Sequence, residues 1–159
     1  RQLPRKNACS LAFAIQVMIQ YGARLRVFPD TGWEDTGTIA ATLHTNRYLL
    51  RHQAEGADPA PYMQGSSLIV PPVAIDPSAT LERAVIGPYA SIGAGVTVRD
   101  AVVRDSIVDE KATIERALIT GSIIGRRAQG TGGFTTLNIG ADSAARMGDQ
   151  SGEVDDTFQ

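Results

Sequence analysis

Residues Ser67–Ala128 read SLIVPPVAIDPSATLERAVIGPYASIGAGVTVRDAVVRDSIVDEKATIERALITGSIIGRRA, and one short pattern recurs through them with almost no interruption. An aliphatic residue returns at Ile69, Ile75, Leu81, Ile86, Ile92, Val98, Val103, Val108, Ile114, Ile119 and Ile124. Two positions before each stands a small one: Ser67, Val73, Ala79, Ala84, Ala90, Val96, Ala101, Ser106, Ala112, Ala117 and Ser122. The step between aliphatics is six residues or five, and three steps sum to 17 residues, or 16 further along. Residues two apart on a strand point to the same side, so each triplet turns two side chains inward and one outward. Three such strands joined by tight turns make one triangular coil, and coils stack so that like positions superpose. Asp76, Gly87, Gly93, Asp109 and Gly125 follow directly after inward aliphatics, where the chain must bend.

An unbroken run of such triplets is the signature of a parallel β-helix built from hexapeptide repeats. Its coils resemble the left-handed β-helix, whose hand departs from the usual crossover rule; the hand comes from that resemblance and not from the spacing. Sorting the outward positions by coil gives three faces. One carries Leu68, Val85, Val102 and Leu118; a second carries Thr80, Thr97 and Thr113; the third carries Ala74, Ser91, Ile107 and Ile123. A threonine ladder makes a good solvated strand surface. An aliphatic ladder on the outside of a prism wants a partner, so Leu68, Val85, Val102 and Leu118 are the expected interface.

Composition narrows the function classes. The formal net charge of −2 argues against a nucleic-acid partner held by a general basic field. The single cysteine, Cys9, permits no intrachain disulfide and no cysteine-based metal cluster, which fits a cytoplasmic protein. The first residue is Arg, so the chain is expected to belong to a longer gene product. Arg1, Arg5 and Lys6 before Leu11–Ile19 imitate a secretory leader, but Gln16 interrupts the run and no small-residue cleavage site follows. A buried helix is expected there instead, and no membrane partner. Ser10 would cap it, Leu11, Ile15, Met18 and Ile19 would form its stripe, and Gly22 suits the position after its end.

Leu25–Phe28 reads as a short strand and Pro29–Gly32 as a turn. A second helix is expected from about Thr38 to Leu50, with Ile39, Leu43 and Leu50 on one side. Residues 52–66 carry Pro and Gly without periodicity and read as a linker. Past Ala128 the rhythm stops at the glycine-rich Gln129–Gly133, read as a loop leaving the last coil. Leu137–Gly140 looks like one returning strand, and residues 141–159 form a polar, acidic tail.

The run G-A-R-L-R-V-F-P-D-T-G-W-E-D-T-G-T at Gly22–Thr38, followed by a helix ending N-R-Y-L-L, resembles the end of a sugar-1-phosphate nucleotidylyltransferase domain. Enzymes like glucose-1-phosphate thymidylyltransferase are the nearest group. The resemblance covers about residues 8–51; Leu137–Gly140 resembles that family's closing L-N-[IV]-G, and many members continue into a left-handed β-helix. It implies a mainly β chain with this division: 1–51 a small α/β remnant of the nucleotidyltransferase domain, 52–66 a linker, 67–140 the left-handed β-helix, 141–159 the tail. In that family the aspartate of W-x-D-x-G-T helps hold the catalytic Mg2+, a role that maps to Asp35, where the ion would bridge phosphate oxygens. The stretch Asn7–Phe13 lacks the family's G-E-x-E-[IL]-T-D acids. No glycine-rich nucleotide loop occurs anywhere in the chain.

The resemblance therefore implies a parent enzyme that joins an NTP and a sugar 1-phosphate with release of pyrophosphate. It places no catalytic or cofactor-binding residue in this chain, which alone is expected to be inactive. NTP and sugar phosphate would be partners only of the full-length parent, and the β-helix would serve oligomerisation, as a dimer or trimer, or regulation. Two alternatives stand beside it. A hexapeptide acyltransferase needs a histidine base, and the chain's two histidines, His44 and His52, both lie outside the coils. A structural or interaction module needs only the outward ladder and the apolar first helix.

Overall fold

The computed structural model describes residues 11–29, 32, 34, 36–133 and 136–146. The chain divides into two compact units, Arg1–Trp33 and Glu34–Gln159. In the first, α1 (Leu11–Gln20) carries no charged side chain in its first or last turn and no fully buried one. Gly22 ends it in the left-handed region, φ 85°. There the Gly22 N–H bonds to Ile19 O and the Ala23 N–H to Met18 O, which satisfies the last carbonyls of the helix. Residues 23–29 are irregular, not the expected strand. Arg24 and Arg26 alternate there with exposed Leu25 and Val27, so neither side buries an apolar row. The expected cap, Ser10, lies outside the described residues.

The second unit opens with α2 (Ile39–Gln53), whose N-cap Thr38 side chain accepts a hydrogen bond from the Ala41 N–H at 3.1 Å. Leu43 and Leu50 are buried as expected, whereas Ile39 is exposed. Beyond it the chain winds a parallel β-helix of about five turns with three five-stranded sheets. Sheet A holds β1 (Tyr62–Gln64), β2 (Ser67–Ile69), β5 (Val85–Ile86), β8 (Val102–Arg104) and β11 (Leu118–Thr120). Sheet B holds β3 (Val73–Ile75), β6 (Ala90–Ile92), β9 (Ile107–Val108), β12 (Ile123–Ile124) and β14 (Asn138–Ile139). Sheet C holds β4 (Thr80–Glu82), β7 (Thr97–Arg99), β10 (Thr113–Glu115), β13 (Gln129–Thr131) and β15 (Ala144–Arg146).

Every coil-to-coil pairing is parallel and places like on like, as in Ile86↔Val103 and Val98↔Ile114. The inward aliphatics from Ile69 to Ile124 form one buried cluster with the alanines, except that Ile75 and Leu81 in the first coil are only partly covered. Three serines fill small inward slots without leaving a polar atom unpaired. Ser67 Oγ accepts from the Ala84 N–H; Ser106 Oγ accepts from the Ser122 N–H and donates to Arg104 O at 2.7 Å; Ser122 Oγ accepts from the Leu137 N–H at 2.8 Å.

The corners depart from the simple turn reading. Among the described residues eight non-glycines adopt the left-handed region, including Arg83, Asp100, Asp105, Lys111, Arg116 and Arg127. Each of these from the second coil upward donates its N–H to a carbonyl one coil below, as Asp100 does to Glu82 O at 3.0 Å and Lys111 to Ala94 O at 2.8 Å. That bond offsets the ~1–2 kcal/mol cost of the conformation. Gly87 and Gly125 are required for a different reason. A Cβ on Gly87 would sit 2.0 Å from Val70 O, and one on Gly125 2.5 Å from Ala141 N.

Two expectations are corrected beyond Ala128. Gln129–Thr131 is a strand, not a loop: Gly130 takes the slot above Ile114, and the Leu137 side chain reaches into the space its missing side chain leaves, 3.2 Å from where a Cβ would stand. Sheet C then continues to Arg146, within the stretch read as tail, because Ala145 pairs with Gly130 and extends the column. Residues 52–66 likewise contain structure, since β1 returns on β2 through Gly65-Ser66 as the only antiparallel pair among the described strands.

Ile114→Ala is expected to cost about 2–5 kcal/mol in urea unfolding, while Thr113→Ala beside it stays within about 0.5 kcal/mol. Equal losses at the two positions would refute the inward–outward alternation.

Candidate functional site

Outward side chains decide what the prism can bind. On sheet A, Leu68 faces Val85, Val85 faces Val102, and Val102 faces Leu118, so the four expected residues form one column. The hairpin strand adds Met63, opposite Leu68 and 64% exposed. No local signal marks it, because Tyr62, Met63 and Gln64 are all exposed and show no alternation. At the far end Leu118 is 46% exposed. Five apolar side chains spaced by ~4.8 Å make a straight stripe about 19 Å long.

The stripe has unlike flanks. On one side Arg83, Asp100 and Arg116 line the same shallow groove as Val85, Val102 and Leu118. Arg83 grips both carboxylate oxygens of Asp100, at 2.6 and 2.8 Å. That guanidinium holds the Asp100 carboxyl below its ordinary range, with Arg116 and Arg99 adding to the effect. On the other side, two residues along the strands from the apolar column, stand Val70, Gly87, Arg104 and Thr120. This flank contains no carboxylate, and Arg104 forms no ion pair among the described residues.

Sheet B is partly occupied. Helix α2 is tied to its first coils by Ser91 Oγ donating to Asn46 Oδ1 at 2.6 Å and Asn46 Nδ2 donating to Tyr89 O at 3.3 Å. Arg47 forms a two-pronged ion pair with Asp105, and the Arg51 guanidinium lies 5.1 Å from the centre of the Tyr89 ring. Sheet C carries the threonine column and beside it an ion-pair ladder, Glu82–Arg99–Glu115. It is a solvated face.

Both histidines lie on α2. His44 faces Glu34 at 3.8 Å. His52 has its Nδ1 2.8 Å from Tyr48 O, its ring 4.0 Å from the Tyr48 ring, and its Nε2 3.9 Å from Glu55. Asp35, with Trp33, lies outside the described residues. Among the described residues no group of three or more His, Cys, Asp or Glu comes together to hold a metal, so no step is assigned to Mg2+ here. None of those residues forms a helix long and apolar enough to cross a membrane.

These features define the chain as a parallel β-helix with a strapped helix and one apolar outer face. No family model and no curated protein matches it. Among solved structures, the acetyltransferase domain of PglB from Neisseria gonorrhoeae FA1090, in complex with acetyl coenzyme A, is similar in fold. It is 20% identical, the match covers 78% of this chain and 73% of that one, and the TM-score is 0.37. A likeness of that size carries no ligand or reaction across. None of the comparisons supports the nucleotidylyltransferase resemblance of residues 8–51.

Arg127 lowers the Asp142 carboxyl as Arg83 lowers Asp100. A carboxyl depressed in the folded state contributes stability that is complete above the unfolded value of about 3.9 and is lost as pH falls through the folded value. The urea midpoint is therefore expected to hold from neutral pH down to about 5 and to fall below about 4. It should fall less steeply in Asp100→Asn/Asp142→Asn.

Proposed function

We propose that this chain is an assembly module, a rigid prism whose sheet A binds a second copy through Met63, Leu68, Val85, Val102 and Leu118. The observation that supports the reading is the column itself: five apolar side chains in register on an outer face, with Met63 and Leu118 at its ends exposed. A sheet that meets water on its outside ordinarily carries polar side chains there, as sheet C does with its threonines. Apolar side chains in contiguous register mark a contact. Because coils stack without drift, the stripe is straight, and a straight stripe is complementary to another copy of itself.

Nucleotidyl transfer is not proposed. The chain contains no glycine-rich nucleotide loop, and the one carboxylate assigned to a metal, Asp35, is not among the described residues. Acyl transfer is a second reading, and it rests on His52. With Nδ1–H donated to the Tyr48 carbonyl, Nε2 is the nitrogen left to take a proton from an acceptor. Acetyl coenzyme A, the ligand named for the Neisseria domain, is the probe. Calorimetric binding, together with acyl transfer to an amine acceptor that is lost in His52→Ala while binding persists, would favour this reading, and absence of heat would remove it.

In sedimentation equilibrium at micromolar concentrations the chain is expected to exceed the monomer mass, and Val102→Lys to return it to the monomer. A wild-type monomer, or a Val102→Lys chain of unchanged mass, would overturn the assembly reading.

A further inference from the structure

The two flanks of the sheet A stripe, taken with its straightness, restrict how two copies can meet. Across the third coil the face reads Asp100, Val102, Arg104, acid on one side and base on the other. The flank of Arg104 holds no carboxylate at Val70, Gly87, Arg104 or Thr120, and Asp105 at the corner beyond is held by Arg47. The flank of Asp100, by contrast, holds that acid between Arg83 and Arg116, with Arg83 already bound to it. Any arrangement that sets like flank against like flank therefore leaves Arg104 facing Val70, Gly87, Thr120 or another Arg104. A two-fold axis across the stripe does this. An axis along the stripe does the opposite: Val85 meets Val85, Val102 meets Val102, and the flanks are exchanged. Asp100 of each copy then lies against Arg104 of the other, and the match occurs twice by symmetry.

We infer that the partner of sheet A is a second copy aligned parallel to the first, related by a two-fold axis along the stripe, with Asp100 and Arg104 paired across it. This rests on the assembly reading and specifies its geometry. Asp100 can accept the extra donor. Each oxygen takes one N–H from Arg83, while a carboxylate offers about four lone-pair positions in all. Arg104 is exposed and has no ion-pair partner within the described chain, so it gives up none to reach across. A stripe about 19 Å long and one sheet face wide places the contact among small, weak interfaces. Association in the micromolar range is the expectation, with charge pairing setting the register.

The test uses the full chain in a Cys9→Ser background, which leaves no other thiol. Facing sheets pack ~10 Å apart, so cysteines placed at Val85 on the axis fall within reach of a short bismaleimide. Val85→Cys is expected to give a covalent dimer, and Thr97→Cys, on sheet C, none. Arg104→Glu sets acid against Asp100 and is expected to weaken association about tenfold at low salt, while Arg99→Glu on sheet C leaves it unchanged. A chain that associates without linking at Val85, or whose association is untouched by Arg104→Glu, overturns the parallel pairing and leaves the assembly reading standing. A chain monomeric at every concentration overturns both.

Discussion

Every other feature depends on the hydrogen bonds that run along the prism from coil to coil. Leu68 N–H bonds to Ala84 O, Val85 N–H to Ala101 O, Val102 N–H to Ala117 O, and the other two sheets repeat the arrangement. These bonds are satisfied only if each coil places its strands above those of the coil below, so the residue count per coil must match at all three corners. Where the count falls from 17 to 16, as between Val85↔Val102 and Val102↔Leu118, a corner is shortened and the strands stay in register. The corner N–H groups join the same network, which is why arginine, aspartate and lysine occupy left-handed positions that a free turn would give to glycine.

Such a fold is legible where its side chains alternate. Ile86, Val103 and Ile119 are inward because their neighbours two residues away are small and the intervening residue is not needed inside. The reading stops where the interior is filled by other means. Gly130 carries no side chain, and Leu137, from a different strand connection, occupies its space, so the column is complete although the local pattern is broken. Strand β1 leaves no trace in the sequence because it is exposed throughout and exists by pairing with β2.

The sheet A column was legible residue by residue, since outward positions follow once inward ones are known. What lies across the other faces was not. Helix α2 reaches sheet B through Asn46 and Arg47, whose partners are 45 and 58 residues away in the chain. A polar contact at that range leaves no periodicity. The two histidines belong to the same case: His44 and His52 sit on a helix held to the coils, a placement that spacing alone does not give. The W-x-D-x-G-T stretch is a local motif with specific implications, and the comparisons give it no support.

Among the described strands, the one antiparallel strand marks an end of the prism. A parallel stack can in principle lengthen by accepting another coil at either end, since each exposed edge repeats the donors and acceptors of the one before. At the sheet A end nearest the start of the helix, β1 runs opposite to the strands of the coils, so the parallel ladder stops at β2. The hairpin at Gly65-Ser66 thus marks where the repeat begins on sheet A, a short reversal of the chain after which every further pairing is parallel.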